Sequence, residues 1–162
     1  MQLNRFTDLG LRVLMYLTQP ARPTPFTISE MAQELVVSQN HLVKVVHFMS
    51  KQGWIKTTRG KGGGIVLAQA PTDYRLGKVV QILENNTSNQ NSLVDCNHPP
   101  CILRPSCMLK SALDQAVQAF FDYLDQYTLA DAIRQPVQHA ISKENRIQIL
   151  DLMAENLPIK AG

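Results

Sequence analysis

Two short helical patterns separated by a tight turn constrain the fold of this chain most strongly. Thr27 and Glu30 have the spacing of a capping box, so a short helix is expected to run from there to about Leu35. After a two-residue turn, Ser38 is placed to cap a second helix, which Gly53 ends. The apolar residues of this second helix are expected to face inward, namely Leu42, Val45, Val46 and Met49. The pair is typical of a helix-turn-helix.

A β-hairpin pattern follows the second helix directly. Trp54 to Arg59 is rich in β-branched residues, Gly60 to Gly64 is a flexible turn, and Ile65 to Leu67 is a second strand. Glycines around Lys61 let the backbone approach a phosphate chain closely. A hairpin after a helix-turn-helix is typical of a wing, so the segment from about Thr27 to Leu67, called the reading head below, is predicted to be a winged helix-turn-helix that binds DNA.

Positive charge is concentrated in the same segment. No acidic residue lies between Glu34 and Asp73, whereas five cations do, which are Lys44, Lys51, Lys56, Arg59 and Lys61. Because the chain carries a net charge of +3, the rest of it sums to −2. This asymmetry is what a phosphate-binding surface requires, although a solvated basic surface would show it too.

The second helix and the wing supply the candidate DNA contacts. Polar side chains in the first turn of a helix laid in the major groove can bond to base edges or phosphates, and a cation on a glycine-rich tip can enter the minor groove. An alternative is that the polar residues are only a solvated helix start. The candidates are Ser38, Gln39, Asn40, His41, Lys44, Arg59 and Lys61.

The remaining elements indicate a mainly α protein with one small β-hairpin. A first helix is expected from about Leu3 to Leu17, another at 76–84, and a helix of roughly 30 Å from Met108 to about Tyr127. The last has a near-heptad apolar stripe, which favours a dimerisation helix over one that closes its own core. The expected divisions are a DNA-binding domain at 1–84, a linker and cysteine loop at 85–107, the dimerisation helix at 108–142, and a terminal helix and tail at 143–162.

All three cysteines lie in one short loop. Four residues separate Cys96 from Cys101 and five separate Cys101 from Cys107, while prolines stiffen the loop. Three thiolates favour an iron-sulfur cluster with a fourth ligand from elsewhere. The alternatives are a zinc site completed by His98, or redox cysteines that bind no metal. A disulfide framework is disfavoured by the odd number of cysteines.

The sequence gives little support for a membrane protein, a secreted protein or an enzyme. No apolar run is long enough to span a membrane and the first ten residues lack a signal-peptide pattern, so a cytoplasmic protein is expected. The glycine-rich turn lacks the Gly-Lys-Ser/Thr ending of a nucleotide loop, and no general-base constellation or carboxylate pair is present. The chain is therefore not predicted to be an enzyme.

The order of these elements resembles the Rrf-type iron-sulfur repressors. The likeness rests on the start of the second helix at Ser38, the Arg59–Gly64 wing, and the cysteine loop before a long helix. The four-then-five cysteine spacing resembles the nitric oxide-sensing branch. A sibling branch has five-then-five spacing and a histidine three residues after the last cysteine, where this chain has Lys110.

The resemblance implies a homodimer that binds double-stranded operator DNA. It also implies a four-iron, four-sulfur cluster, or a two-iron, two-sulfur one, held by Cys96, Cys101, Cys107 and Asp8 of the partner subunit. Arg12 could orient Asp8 through an i,i+4 pair. The implied signal is nitric oxide, with iron-sulfur status or redox state as the alternative.

Overall fold

Helices make up most of the folded chain. The computed structural model describes residues 2–19, 25–60, 62–86, 93–97 and 99–133. Within those ranges the elements are α1 (Arg5–Tyr16), α2 (Ile28–Glu34), α3 (Gln39–Lys51), β1 (Ile55–Thr58), β2 (Gly64–Leu67), α4 (Leu76–Asn85) and α5 (Leu109–Leu124). The predicted fold class, mainly α with a small β-hairpin, is confirmed.

Helix α1 lies across the centre of the fold. It begins after Asn4, whose side chain accepts the Thr7 N–H at 2.8 Å. The Asn4 N–H in turn donates to the Glu84 carboxylate of α4 at 3.0 Å. Val13 and Leu14 are fully buried in the main core, which α1 shares with α2, α3, the hairpin and α4.

The helix-turn-helix forms as the local sequence predicts. Thr27 Oγ1 accepts the Glu30 N–H at 3.2 Å, and the Glu30 carboxylate accepts the Thr27 N–H at 3.4 Å, which completes the capping box. Ser38 stands at the N-cap of α3 but makes no side-chain capping bond. Val36 in the turn has a φ of 53°, a left-handed conformation that is uncommon for a β-branched residue.

The hairpin packs one face on the core. Its antiparallel register pairs Ile55 with Leu67 and Thr58 with Gly64, and both Ile55 and Ile65 are buried. The Ile65 N–H donates to the Phe26 carbonyl at 2.7 Å, so the segment before α2 pairs with β2. Lys61 at the tip lies outside the described residues.

Helix α5 packs on α4 and is shorter than predicted. It has 16 residues, about 24 Å at 1.5 Å per residue, and ends at Leu124. Its buried residues are Val117 and Phe121, which contact Val80, and the Phe121 carbonyl lies so close to Gly77 that no Cβ would fit there. Of the apolar stripe expected to form a dimer seam, Phe120 and Leu124 pack against this cluster, whereas Leu109, Ala112, Ala116 and Tyr123 stay exposed.

The chain turns back onto the core after α5. The Leu129 N–H donates to the Tyr74 carbonyl at 2.9 Å, and the Leu129 side chain is fully buried. The dimerisation helix predicted at 108–142 does not extend through Thr128 to Ile133. These residues form the returning segment that buries Leu129. Residues 134–142 and the terminal helix and tail predicted at 143–162 lie outside the described residues. In the described part of the chain, no helix has the length and apolar character needed to cross a membrane.

Candidate nucleic-acid interface and cysteine cavity

The exposed side of α3 carries the predicted recognition residues. Leu42, Val45, Val46 and Met49 are buried, which confirms the predicted inward face. Gln39, Asn40, His41 and Lys44 are all exposed on the remaining surface of this helix. Burial of this apolar stripe holds α3 against the core and leaves the polar side of the helix exposed to solvent.

A cavity of about 660 Å³ joins this helix to α1. Its polar lining combines Ser38, His41 and Lys44 from the start of α3 with Asp8 and Arg12 from α1. The Arg12 Nε donates to the Asp8 carboxylate at 3.0 Å across one helical turn, and both side chains are more than half exposed. The structure therefore brings the candidate fourth cluster ligand next to the candidate recognition helix of the same chain.

A second groove, of about 530 Å³, separates α3 from the wing. His47 and Ser50 line its helical side, and Thr58, Arg59 and Gly60 line its other side. None of the described residues that line it is a carboxylate, and a phosphate chain would meet Arg59 together with hydroxyl, imidazole and apolar groups there.

His47 is a lining residue that the sequence reasoning missed. It is exposed and stands three residues after Lys44, on the same side of α3 as Asn40 and Lys44. Helical periodicity from Lys44 could have found it. Lys51, Lys56 and Arg59 are also exposed, so each cation that the structure describes between Glu34 and Asp73 reaches solvent.

The three cysteines line one open cavity of about 560 Å³ beside the start of α5. All three are free thiols and half-buried. Backbone bonds shape the loop: the Cys101 N–H donates to the Cys96 carbonyl at 3.1 Å, and the Arg104 N–H donates to the Cys101 carbonyl at 3.2 Å. A 3-10 turn at Arg104–Ser106 then leads to Cys107.

Charged and polar side chains form the rest of this cavity. Lys110 and Asp114 of α5 line it and are paired with each other, and Arg104 lines it from the loop, with its guanidinium donating to Asn97 Oδ1 at 3.1 Å. The other lining residues are Ser111, Gln115 and Gln118. The three thiols therefore share this cavity with two cationic side chains, Arg104 and Lys110.

The three cysteines line this cavity but do not form a complete set of metal ligands. In the part of the chain that the structure describes, no three His, Cys, Asp or Glu side chains lie close enough to hold a metal ion. His98, the candidate zinc ligand, lies outside the described residues. Asp8 lines the α1–α3 cavity and not this one. Three thiols that line one cavity nevertheless have the chemistry of a sulfur-liganded iron group that is completed from elsewhere.

Comparison with known proteins places this architecture in a family. Residues 3–135 match Rrf2, described as iron-dependent transcriptional regulators. The chain belongs to the Rrf2 family. As a member it is a DNA-binding transcription regulator and not an enzyme, as the sequence predicted.

Solved structures of Rrf2 regulators share the fold. T. potens IscR is similar with a TM-score of 0.65 and 22% sequence identity, over 90% of this chain and 96% of that one. The global cysteine regulator CymR of B. subtilis has a TM-score of 0.63 and 24% identity, over 82% and 95% of the two chains. The oxidized form of Staphylococcus aureus CymR has a TM-score of 0.64 and 21% identity, over 83% and 98%.

Proposed function

We propose that this Rrf2 regulator is a homodimeric repressor of the NsrR type, whose affinity for operator DNA depends on an iron-sulfur cluster that reacts with nitric oxide. The observation that carries the proposal is the single cavity shared by Cys96, Cys101 and Cys107. The four-then-five spacing of these cysteines supports the nitric oxide-sensing type in particular.

The ligand set is proposed to be completed across the dimer. Thiolates are the usual ligands of iron-sulfur clusters, and Cys96, Cys101 and Cys107 provide three. Asp8 of the partner subunit would provide an oxygen. Within one chain Asp8 is exposed and lines a different cavity. Asp8 would therefore reach the cysteine cavity of a second copy of the chain. A site of this kind takes its final geometry when the cluster binds, so the free loop need not hold all the ligands together beforehand.

Helix α5 offers the surface for the second copy. With Val117 and Phe121 turned to its own core, α5 leaves Leu109, Ala112, Ala116 and Tyr123 exposed. Their spacings of three, four and seven residues keep them on one side of the helix, as in a coiled-coil seam. Two copies packed through this side would bury an apolar stripe that is open in the single chain.

The same contact would link the cysteine loop to the DNA-binding surface. Asp8 shares its cavity with Ser38, His41 and Lys44, so a restraint on Asp8 also restrains the region where α1 meets α3. The cluster, when bound, supplies the reactivity toward nitric oxide. Once Asp8 is no longer held by the second subunit, the two reading heads lose their fixed separation, and affinity for paired half-sites falls.

Anaerobic reconstitution with ferrous iron and sulfide tests the cofactor. Wild-type protein should gain a visible chromophore with iron and sulfide in equal amounts, and Cys101→Ala should not. Ser106→Ala is the matched control, because Ser106 lies in the same loop without a thiol, and it should retain the chromophore. Stoichiometric zinc without sulfide in the purified protein would contradict the cluster assignment.

The fourth ligand is tested by two aspartate variants. Asp114 lines the cysteine cavity of its own chain, whereas Asp8 would enter from the partner, so Asp8→Ala and Asp114→Ala separate the two possibilities. The proposal expects Asp8→Ala to change the electron paramagnetic resonance spectrum of the reduced cluster and Asp114→Ala to leave it unchanged. The reverse pattern would assign the ligand to Asp114.

A thiol redox sensor of the same fold is the second candidate. The free, half-buried state of the three cysteines in one open cavity favours it, because thiols that an oxidant can reach are the ones that oxidise. It predicts that DNA affinity of iron-free protein responds to mild oxidation and recovers with reductant, which the cluster proposal does not require.

A further inference from the structure

The phenol of Tyr74 closes the base of the wing. Tyr74 is 3% exposed, and its hydroxyl donates to the Trp54 carbonyl at 2.5 Å. The same oxygen accepts the Ala68 N–H at 3.2 Å and the Gln69 N–H at 3.1 Å. Trp54 directly precedes β1, and Ala68 and Gln69 directly follow β2. The Ala68 N–H also donates to the Trp54 carbonyl at 2.9 Å, so one hydroxyl and one backbone bond together hold the two chain ends from which the hairpin projects.

The backbone around Tyr74 is bound to the segment that follows α5. The Tyr74 carbonyl accepts the Leu129 N–H at 2.9 Å, and the Leu76 N–H donates to the Tyr127 carbonyl at 2.9 Å. Between them, Arg75 and Thr128 form an antiparallel bridge. Tyr74 thus holds the base of the wing through its side chain and the segment after α5 through its backbone.

We propose that Tyr74 is a positioning residue for DNA binding, which couples the position of the wing to the segment at the end of α5. A two-stranded hairpin of four-residue strands has little stability of its own, so its direction depends on how its base is held. Loss of the phenol bonds frees the base and moves Arg59 at the tip. The inference rests on the fold alone and needs no iron-sulfur cluster.

Tyr74→Phe tests the wing half of this proposal, because it removes the hydroxyl and keeps the ring. Native-state hydrogen exchange at Gln69 should accelerate by roughly tenfold, because its N–H loses a buried acceptor. Exchange at Ala68 should accelerate less, because the Trp54 carbonyl still accepts its N–H at 2.9 Å. Exchange at Leu42 in α3 reports global unfolding. Acceleration confined to Ala68 and Gln69 supports the proposal, and equal acceleration at all three amides, or none, would overturn it.

Tyr16→Phe is the matched control. Tyr16 is likewise a buried tyrosine of the main core, but its hydroxyl donates to the Glu34 carboxylate of α2 at 2.8 Å. The selective effect at Ala68 and Gln69 should be absent in this variant. If Tyr16→Phe accelerates those two amides as much as Tyr74→Phe does, the assignment to Tyr74 fails.

A double-mutant cycle on DNA binding separates positioning from general destabilisation. The probe is a duplex enriched from a random-sequence pool with the wild-type protein. Tyr74→Phe and Arg59→Ala should each weaken binding by roughly fivefold to tenfold, and the double variant should bind about as well as Arg59→Ala alone, because both act through the wing. Fully additive losses would show that Tyr74 does not act through Arg59.

Asp131→Ala tests the coupling to the end of α5. The Asp131 carboxylate accepts the Thr128 N–H at 2.8 Å and the Thr128 hydroxyl at 2.7 Å, which shapes the turn paired with Arg75. This variant should accelerate exchange at Ala68 and Gln69 several-fold more than at Leu42. Asp122→Ala is the control, because this α5 aspartate accepts a hydrogen bond from Gln118 of its own helix at 2.8 Å and lies outside the turn. No acceleration in Asp131→Ala would remove the coupling from the proposal.

Discussion

The reading head and the cysteine loop hold their apolar residues in opposite ways. Leu42 and Met49 in the reading head are fully buried, whereas Ile102 and Met108 beside the cysteines are 91% and 76% exposed. Exposed apolar side chains in a cluster mark a surface that another molecule covers. The reading head is therefore held by its own core, whereas the proposed function expects the cysteine loop to gain its final shape from what it binds.

Local bonding shows the same difference. The reading head is held by a capping box, two regular helices and a paired hairpin. The cysteine loop is held by isolated turn bonds, of which the longest described, from the Cys107 N–H to the Arg104 carbonyl, is 3.5 Å. Loss of a bound group should change the loop first and leave the reading head folded.

The largest expected difference comes from shortening one apolar side chain in each region. Met49→Ala should lower the free energy of unfolding by about 2–5 kcal/mol, because it leaves a cavity in the main core. Ile102→Ala should change it by less than about 0.5 kcal/mol, as is usual for exposed positions. Urea denaturation of iron-free protein measures both. Equal losses would show that the loop belongs to the folded core.

A smaller effect is expected from removing one cation of the recognition helix. Lys44→Ala should weaken binding to the selected duplex roughly tenfold and reduce the log–log salt slope by about 1.8, for one phosphate contact in each subunit. Lys78→Ala, an exposed lysine on α4, should leave the slope unchanged. An unaltered slope in Lys44→Ala would exclude Lys44 as a phosphate contact.

The two predicted helix caps should differ by about 1 kcal/mol. Thr27→Ala removes a capping bond that is present, so it should lower the free energy of unfolding by about that amount. Ser38→Ala removes a side chain that makes no capping bond, and the loss should be near zero. Thermal denaturation of the two variants makes the comparison, and equal losses would mean that Ser38 caps α3 in solution.

The smallest expected effect is a pH dependence at the turn after α5. Hydrogen bonds from Thr128 hold the pKa of Asp131 below its usual value. A depressed folded-state pKa gives a stabilisation that is present above the unfolded-state pKa and is lost as pH falls through the folded-state pKa. The difference in melting temperature between wild type and Asp131→Asn should therefore be present near neutral pH and decrease as pH falls below the usual range of carboxyl groups. A difference independent of pH would contradict this.

The sequence predicts well what depends on neighbouring residues. The Thr27–Glu30 spacing, the periodicity of α3 and the glycines of the hairpin tip each act within one turn or one hairpin, and these elements form as expected. The buried face of α5 could not be predicted in this way. Apolar residues occur on two sides of that helix, and only packing against Val80 decides that Val117 and Phe121 turn inward.

Contacts between segments that are distant in the chain could not be predicted from the sequence either. Nothing near Leu129 indicates that it pairs with Tyr74, and nothing near Tyr74 indicates that its hydroxyl reaches Trp54. The candidate cluster site shows the same limit. Cysteine spacing predicts that the thiols are neighbours, but the proposed fourth ligand would depend on how two copies of the chain meet.

Titration of the reconstituted dimer with nitric oxide tests most directly whether the cysteine loop controls the reading head. Absorbance of the chromophore and affinity for the selected duplex are followed together under anaerobic conditions. The proposal predicts that affinity falls in proportion to the loss of the chromophore, and that nitric oxide does not change the affinity of Cys101→Ala. Undiminished DNA binding after complete loss of the chromophore would contradict control of the reading head by the cysteine loop.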